Sequence, residues 1–152
     1  MNVNDLKDSE KKFILSEICF NSIQAGVARL SSVYNSESDA VARKAWRNKV
    51  TENLERQIQI TPDDGTHINR IEEFRNSIKD DILKKGKVEF GVAQKILNLF
   101  LKYCWSIGWI DKPPHCPIDS NVLKWVGRDD LRWSTMTGDT YREVIKEIVW
   151  IS

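Results

Sequence analysis

The residues of this chain best placed to do chemistry lie between Gly91 and Leu123. They read Gly91-Val92-Ala93-Gln94-Lys95-Ile96-Leu97-Asn98-Leu99-Phe100-Leu101 and, after a proline-rich loop, Pro117-Ile118-Asp119-Ser120-Asn121-Val122-Leu123. A lysine sits inside the longest apolar run, and an aspartate follows it 24 residues later. A helix opening near Gly91 begins with backbone N–H groups that have no intrahelical partner, and beside Lys87 and Lys95 such a start can receive a phosphate. Lys95 also fits a surface lysine at the start of a buried helix, and Asp119 before Ser120 fits a helix N-cap. A capping aspartate can face a cleft as well, so the two roles of Asp119 are compatible.

Other chemistries lack their spacing. Cys19, Cys104, Cys116, His67 and His115 show no Cys-x₂-Cys or His-x₃-His arrangement, so no metal site is expected and the thiols read as reduced. Neither a Gly-x-Ser-x-Gly elbow nor a phosphate-binding loop of the Gly-x₄-Gly-Lys type is present, which leaves acyl transfer and nucleotide hydrolysis without support. No cofactor is expected.

The elements that would hold these residues read as helices throughout. A first helix is predicted from Asp8 or Ser9 to about Val33, with Leu15, Ile18, Cys19, Ile23, Val27 and Leu30 on one face. Ser38 is the expected cap of a second helix, whose apolar face is Val41, Trp46, Val50, Leu54 and Ile58. Turn chemistry at Pro62 to Gly65 precedes a third, capped by Thr66 and carrying Ile68, Ile71, Phe74, Ile78, Ile82 and Leu83 up to a stop at Lys84-Lys85-Gly86. A fourth, from about Val92 to Ile107, is apolar on nearly all sides and therefore central. The prolines between Gly108 and Ile118 make a loop, and Asp119 or Ser120 caps a short helix closed by Gly127. After an irregular segment containing Trp133, the spacing of Thr140 and Glu143 predicts a capping box for a last helix burying Val144, Ile145, Ile148 and Val149.

The expected architecture is one all-α domain over residues 1–152, a compact bundle of about six helices. With 41% hydrophobic residues and six Trp, a chain of this length can bury a real core. It has no apolar stretch long enough to span a bilayer and no leader-like start, so a cytoplasmic, non-membrane protein is expected. A net charge of +1 excludes a strongly basic nucleic-acid binder, although between residues 79 and 102 six lysines stand against three acids.

The helix at Gly91-Val92-x-x-Lys95-x-x-Asn98-Leu99, followed by Pro117-Ile118-Asp119-Ser120-Asn121-Val122, resembles the helix-hairpin-helix DNA glycosylases of the endonuclease III and 8-oxoguanine glycosylase type. The resemblance covers residues 86–124. Ala93 replaces the second hairpin glycine, Phe90 stands where proline is common, and no iron–sulfur cysteine cluster follows Asp119. The resemblance implies a helix-hairpin-helix junction and a DNA substrate, contacted by Lys87, Gly91, Ala93 and Gln94. It implies Lys95 as the amine that attacks C1′ of a flipped-out nucleotide and Asp119 as the acid that stabilises cationic sugar or activates the nucleophile. Trp105, Trp109 and His115 would then form the base pocket, and Trp125, Trp133 and Tyr103 could also stack on a flipped base. Without the resemblance, the same helices suit a non-enzymatic interaction module that binds a protein partner through its aromatic residues.

Overall fold

The computed structural model describes residues 5–28 and 33–151, with the side chains of 149–151 left out of the description. Six α-helices form it: α1 (Asp8–Val27), α2 (Ala40–Gln57), α3 (His67–Ser77), α4 (Phe90–Ser106), α5 (Ser120–Trp125) and α6 (Gly138–Ile151). The all-α expectation holds among the described residues, whose sole β-type pairing is an isolated bridge between Tyr34 and Leu83. Leu30 and the side chain of Val149, both expected on apolar helix faces, lie outside the described residues.

Helix α4 is the axis of the bundle because its apolar residues surround it. Phe90, Val92, Ala93, Ile96, Leu97, Phe100, Leu101 and Cys104 are all buried. Helix α1 crosses it at a glycine: a Cβ on Gly26 would lie 2.4 Å from the Ile96 side chain, so the close crossing requires the absence of a side chain. Trp46, Val50 and Leu54 of α2 and Ile71 and Phe74 of α3 complete the core. Val41, expected on the inner face of α2, is instead 79% exposed, since it lies in the first turn, before the helix reaches the core.

Several boundaries differ from the sequence expectation for identifiable reasons. Helix α1 ends at Val27, earlier than Val33. The second helix is capped by Asp39, whose Oδ1 accepts from the Ala42 N–H at 2.8 Å, while the Ser38 hydroxyl donates to the Asn35 carbonyl. Helix α3 stops at Ser77 because side chains of α2 take over the carbonyls beyond it. Trp46 Nε1 donates to the Ile78 carbonyl at 2.8 Å and Lys49 Nζ donates to that of Lys79. Ile82 and Leu83 therefore sit in a connector that bonds back to Val33 and Asn35. The last helix begins one or two residues early, with the Thr137 hydroxyl accepting from the Thr140 N–H at 3.3 Å in place of a Thr140–Glu143 box. No helix among the described residues is long and apolar enough to cross a membrane. The cysteines are free, and burial pushes the Cys19 and Cys104 thiols up to about 12.

Candidate functional site

Lys95 lies on the one flank of α4 that the core does not cover. Its Nζ is 3.3 Å from Asp119 Oδ2, with the lysine side chain 13% exposed and the aspartate 32%. Asp119 holds its place as the cap of α5, where Oδ1 accepts from the Val122 N–H at 3.0 Å. One oxygen thus serves the helix and the other faces the amine. Partial burial works to raise the pKa of Asp119. The Val122 N–H, the charge and hydrogen bond of Lys95 and the Asn121 N–H outweigh it, holding the carboxyl below its ordinary range.

The pair opens into a cleft of about 700 Å³. One wall is α1, with Asn21, Gln24 and Ala25; the floor is α4, with Lys95, Leu99 and Tyr103. Ser120 and Asn121 edge it at α5, and the segment Leu131 to Ser134 forms the far wall. There the indole of Trp133 lies under Lys95, with Nζ 5.2 Å from the ring centroid. Cation, carboxylate, aromatic face and side-chain amides therefore share one solvent-open space, a set suited to a planar polar ligand.

The other residues singled out in the sequence do not join this cleft. Gly91, Ala93 and Gln94 are buried. A Cβ on Gly91 would fall 1.7 Å from the Trp133 carbonyl oxygen, so this glycine admits the 131–136 segment and not a phosphate. The expected phosphate site at the start of α4 is filled by the chain itself: the Gly91 N–H donates to the Met136 carbonyl, and those of Val92 and Ala93 donate to Glu89. Lys87 is exposed in a separate hollow with Lys49, Lys79 and Lys85. Trp105 stands 42% exposed under Lys112, and Trp109 lines a hollow with Ile58 and Ile110. Neither borders the cleft, where Trp133 and Tyr103 supply the aromatic surface. Of the aromatic residues expected to stack on a base, Trp133 and Tyr103 are the ones the structure brings to the cleft.

His115 belongs to a second constellation, on the adjacent, buried face of α4 that carries Asn98. Donor counting gives this chain a direction. His67 Nε2–H donates to Asn98 Oδ1 at 2.7 Å, Asn98 Nδ2 to the Tyr141 hydroxyl at 3.0 Å, and that hydroxyl to His115 Nδ1 at 2.8 Å. His115 Nε2–H then donates to Asp64 Oδ1 at 2.9 Å. In this arrangement both imidazoles are neutral, and His67 Nδ1 is left buried without a partner. Burial lowers His67 to about 4, aided by the neighbouring His115 and Arg70; it also lowers His115 against the pull of Asp64. Burial likewise raises the Tyr141 hydroxyl. Tyr141, Asn98 and His67 have no exposed surface and the series reaches solvent at Asp64, so its bonds fasten the proline loop to α3, α4 and α6. No cluster among the described residues could hold a metal ion.

Comparison of the chain with protein-family models, with curated proteins and with solved structures finds no match.

Proposed function

We propose that the Lys95–Asp119 cleft receives a nucleotide flipped out of DNA and cleaves its N-glycosidic bond. The observation that carries this reading is the convergence of Lys95 and Asp119 to 3.3 Å in a solvent-open cleft beside an indole face. The likeness of their flanking residues to helix-hairpin-helix glycosylases adds to it. A carboxylate held below its usual range stays ionised and stabilises positive charge as the C1′–N bond lengthens, while the electron pair leaves with the base. Lys95 then bonds to C1′ after giving up a proton, and the departing base takes one up. Trp133 and Tyr103 offer faces for the extruded base, and Asn21, Gln24 and Asn121 offer hydrogen-bonding edges. Arg132, exposed and lining the cleft, offers a cation for a flanking phosphate.

The test is base release from a panel of duplexes carrying single damaged or modified bases, wild type against Asp119→Asn. Release by the wild type, with loss of about 100-fold or more in the variant and retained DNA binding, supports the reading. Absence of release on every substrate removes it.

A second reading, a helical interaction module, is favoured by Phe13 and Phe20, which stand 64% and 56% exposed two turns apart on α1. It predicts a protein partner whose binding survives Lys95→Ala and Asp119→Asn. Strongly salt-dependent binding to plain duplex argues against it, because phosphate neutralisation releases counterions.

A further inference from the structure

Gln94 immediately precedes Lys95, and Ile118 immediately precedes Asp119, so two residue pairs lie side by side in the same order. The outer pair is the ion pair of the cleft. The inner pair is bonded twice: Gln94 Nε2 donates to the Ile118 carbonyl at 2.7 Å, and the Ile118 N–H donates to Gln94 Oε1 at 3.1 Å. Both residues are fully buried. A primary amide thus completes the backbone of an extended loop residue as a neighbouring strand would.

One helical turn further on, Asn98 Nδ2, with one proton on Tyr141, shares the other between Gln94 Oε1 at 3.3 Å and the Cys116 carbonyl at 3.4 Å. The capping bond from Val122 ties Asp119 to its own helix and moves with it, so it does not set the distance from α5 to α4. Ile118 and Leu123 pack into the core, and the polar bonds where the loop meets α4 come from Gln94 and Asn98.

We propose that Gln94 is a positioning residue, whose side-chain amide fixes the backbone of Ile118 and thereby holds the Asp119 carboxylate against Lys95. Its consequence for catalysis rests on the reading of the cleft given above; its geometric content does not. An apolar side chain of similar length would leave the Ile118 N–H and carbonyl unpartnered in a dry interior, and the loop would shift to find other partners. Asp119, one residue on, would shift with it.

The experiment is an NMR titration of the Asp119 carboxyl in unliganded wild type, Gln94→Met, the milder Gln94→Asn and, as reference, Lys95→Met. Gln94→Asn keeps the amide and shortens its reach by one methylene. The expected result is a wild-type titration at low pH that moves up in both Gln94 variants, toward its position in Lys95→Met. Where base release is measurable, it falls by about 100-fold, the cost of misplacing a reacting group by an ångström. A lowered melting temperature with the Asp119 titration unchanged from wild type overturns the proposal, because a side chain that merely stabilises the fold produces that result. If the titration moves and no substrate is cleaved by the wild type, Gln94 remains a positioning residue and the enzymatic reading falls.

Discussion

The two flanks of α4 carry polar constellations of opposite character. On the inner flank, Asn98 joins His67, Tyr141 and His115 into a chain of bonds ending on Asp64, with every ring enclosed. On the outer flank, Lys95 and Asp119 make a single contact at the edge of an open cleft. By residue type the inner set looks the more catalytic, since it lines up a carboxylate, an imidazole and a hydroxyl. Access reverses that ranking. An enclosed network whose donors are spent on one another rigidifies a loop, whereas a charged pair with exposed surface has capacity left for a ligand.

The largest effect expected from breaking this arrangement is that of Gly91→Ala. A methyl group 1.7 Å from the Trp133 carbonyl oxygen forces the 131–136 segment off α4, removing the far wall of the cleft and costing more than about 3 kcal/mol. Urea denaturation measures the loss, and near-ultraviolet dichroism of Trp133 reports the displacement. Next comes Asn98→Leu, which strips partners from His67 and Tyr141 at once; a loss of about 2–4 kcal/mol is expected by the same measurement.

Acid distinguishes the two flanks without mutation. His67 is held near 4 in the fold against 6.5 when exposed, so folding favours its neutral form. That stabilisation is complete above about 6.5, declines as the pH falls toward 4 and is level below. His115, lowered in the same direction, adds to the decline. Asp119, with a lowered pKa, remains ionised through this window, and its contribution is lost only below its ordinary value of 3.8. Urea midpoints that stay flat from pH 7 to pH 4 would contradict this account of the inner flank. The smallest stability effect belongs to the outer flank: Lys95→Met should cost no more than about 1 kcal/mol, because the pair is partly exposed, and on the proposed reading it abolishes the covalent step.

The sequence disclosed the outer flank better than the inner one, and local signals explain why. The apolar run around Lys95 announces a central helix, and Pro117-Ile118-Asp119-Ser120 announces a cap, which the structure places where expected. Nothing local announces that residues 24 apart will meet. His67 and His115, whose rings pack 4.6 Å apart, come from a helix start and a loop with no shared pattern. Trp133 reaches the cleft because its backbone docks on Gly91, a tertiary contact invisible to periodicity. The glycine itself was legible, but its reason was not, since a phosphate and a carbonyl make the same demand for an absent side chain.

The most direct test of the central claim is borohydride trapping with wild type and Lys95→Ala on duplexes carrying damaged bases and abasic sites. A covalent protein–DNA adduct formed by the wild type and absent from Lys95→Ala is the predicted result. An adduct that survives the loss of Lys95, or none with the wild type on any substrate, would contradict it.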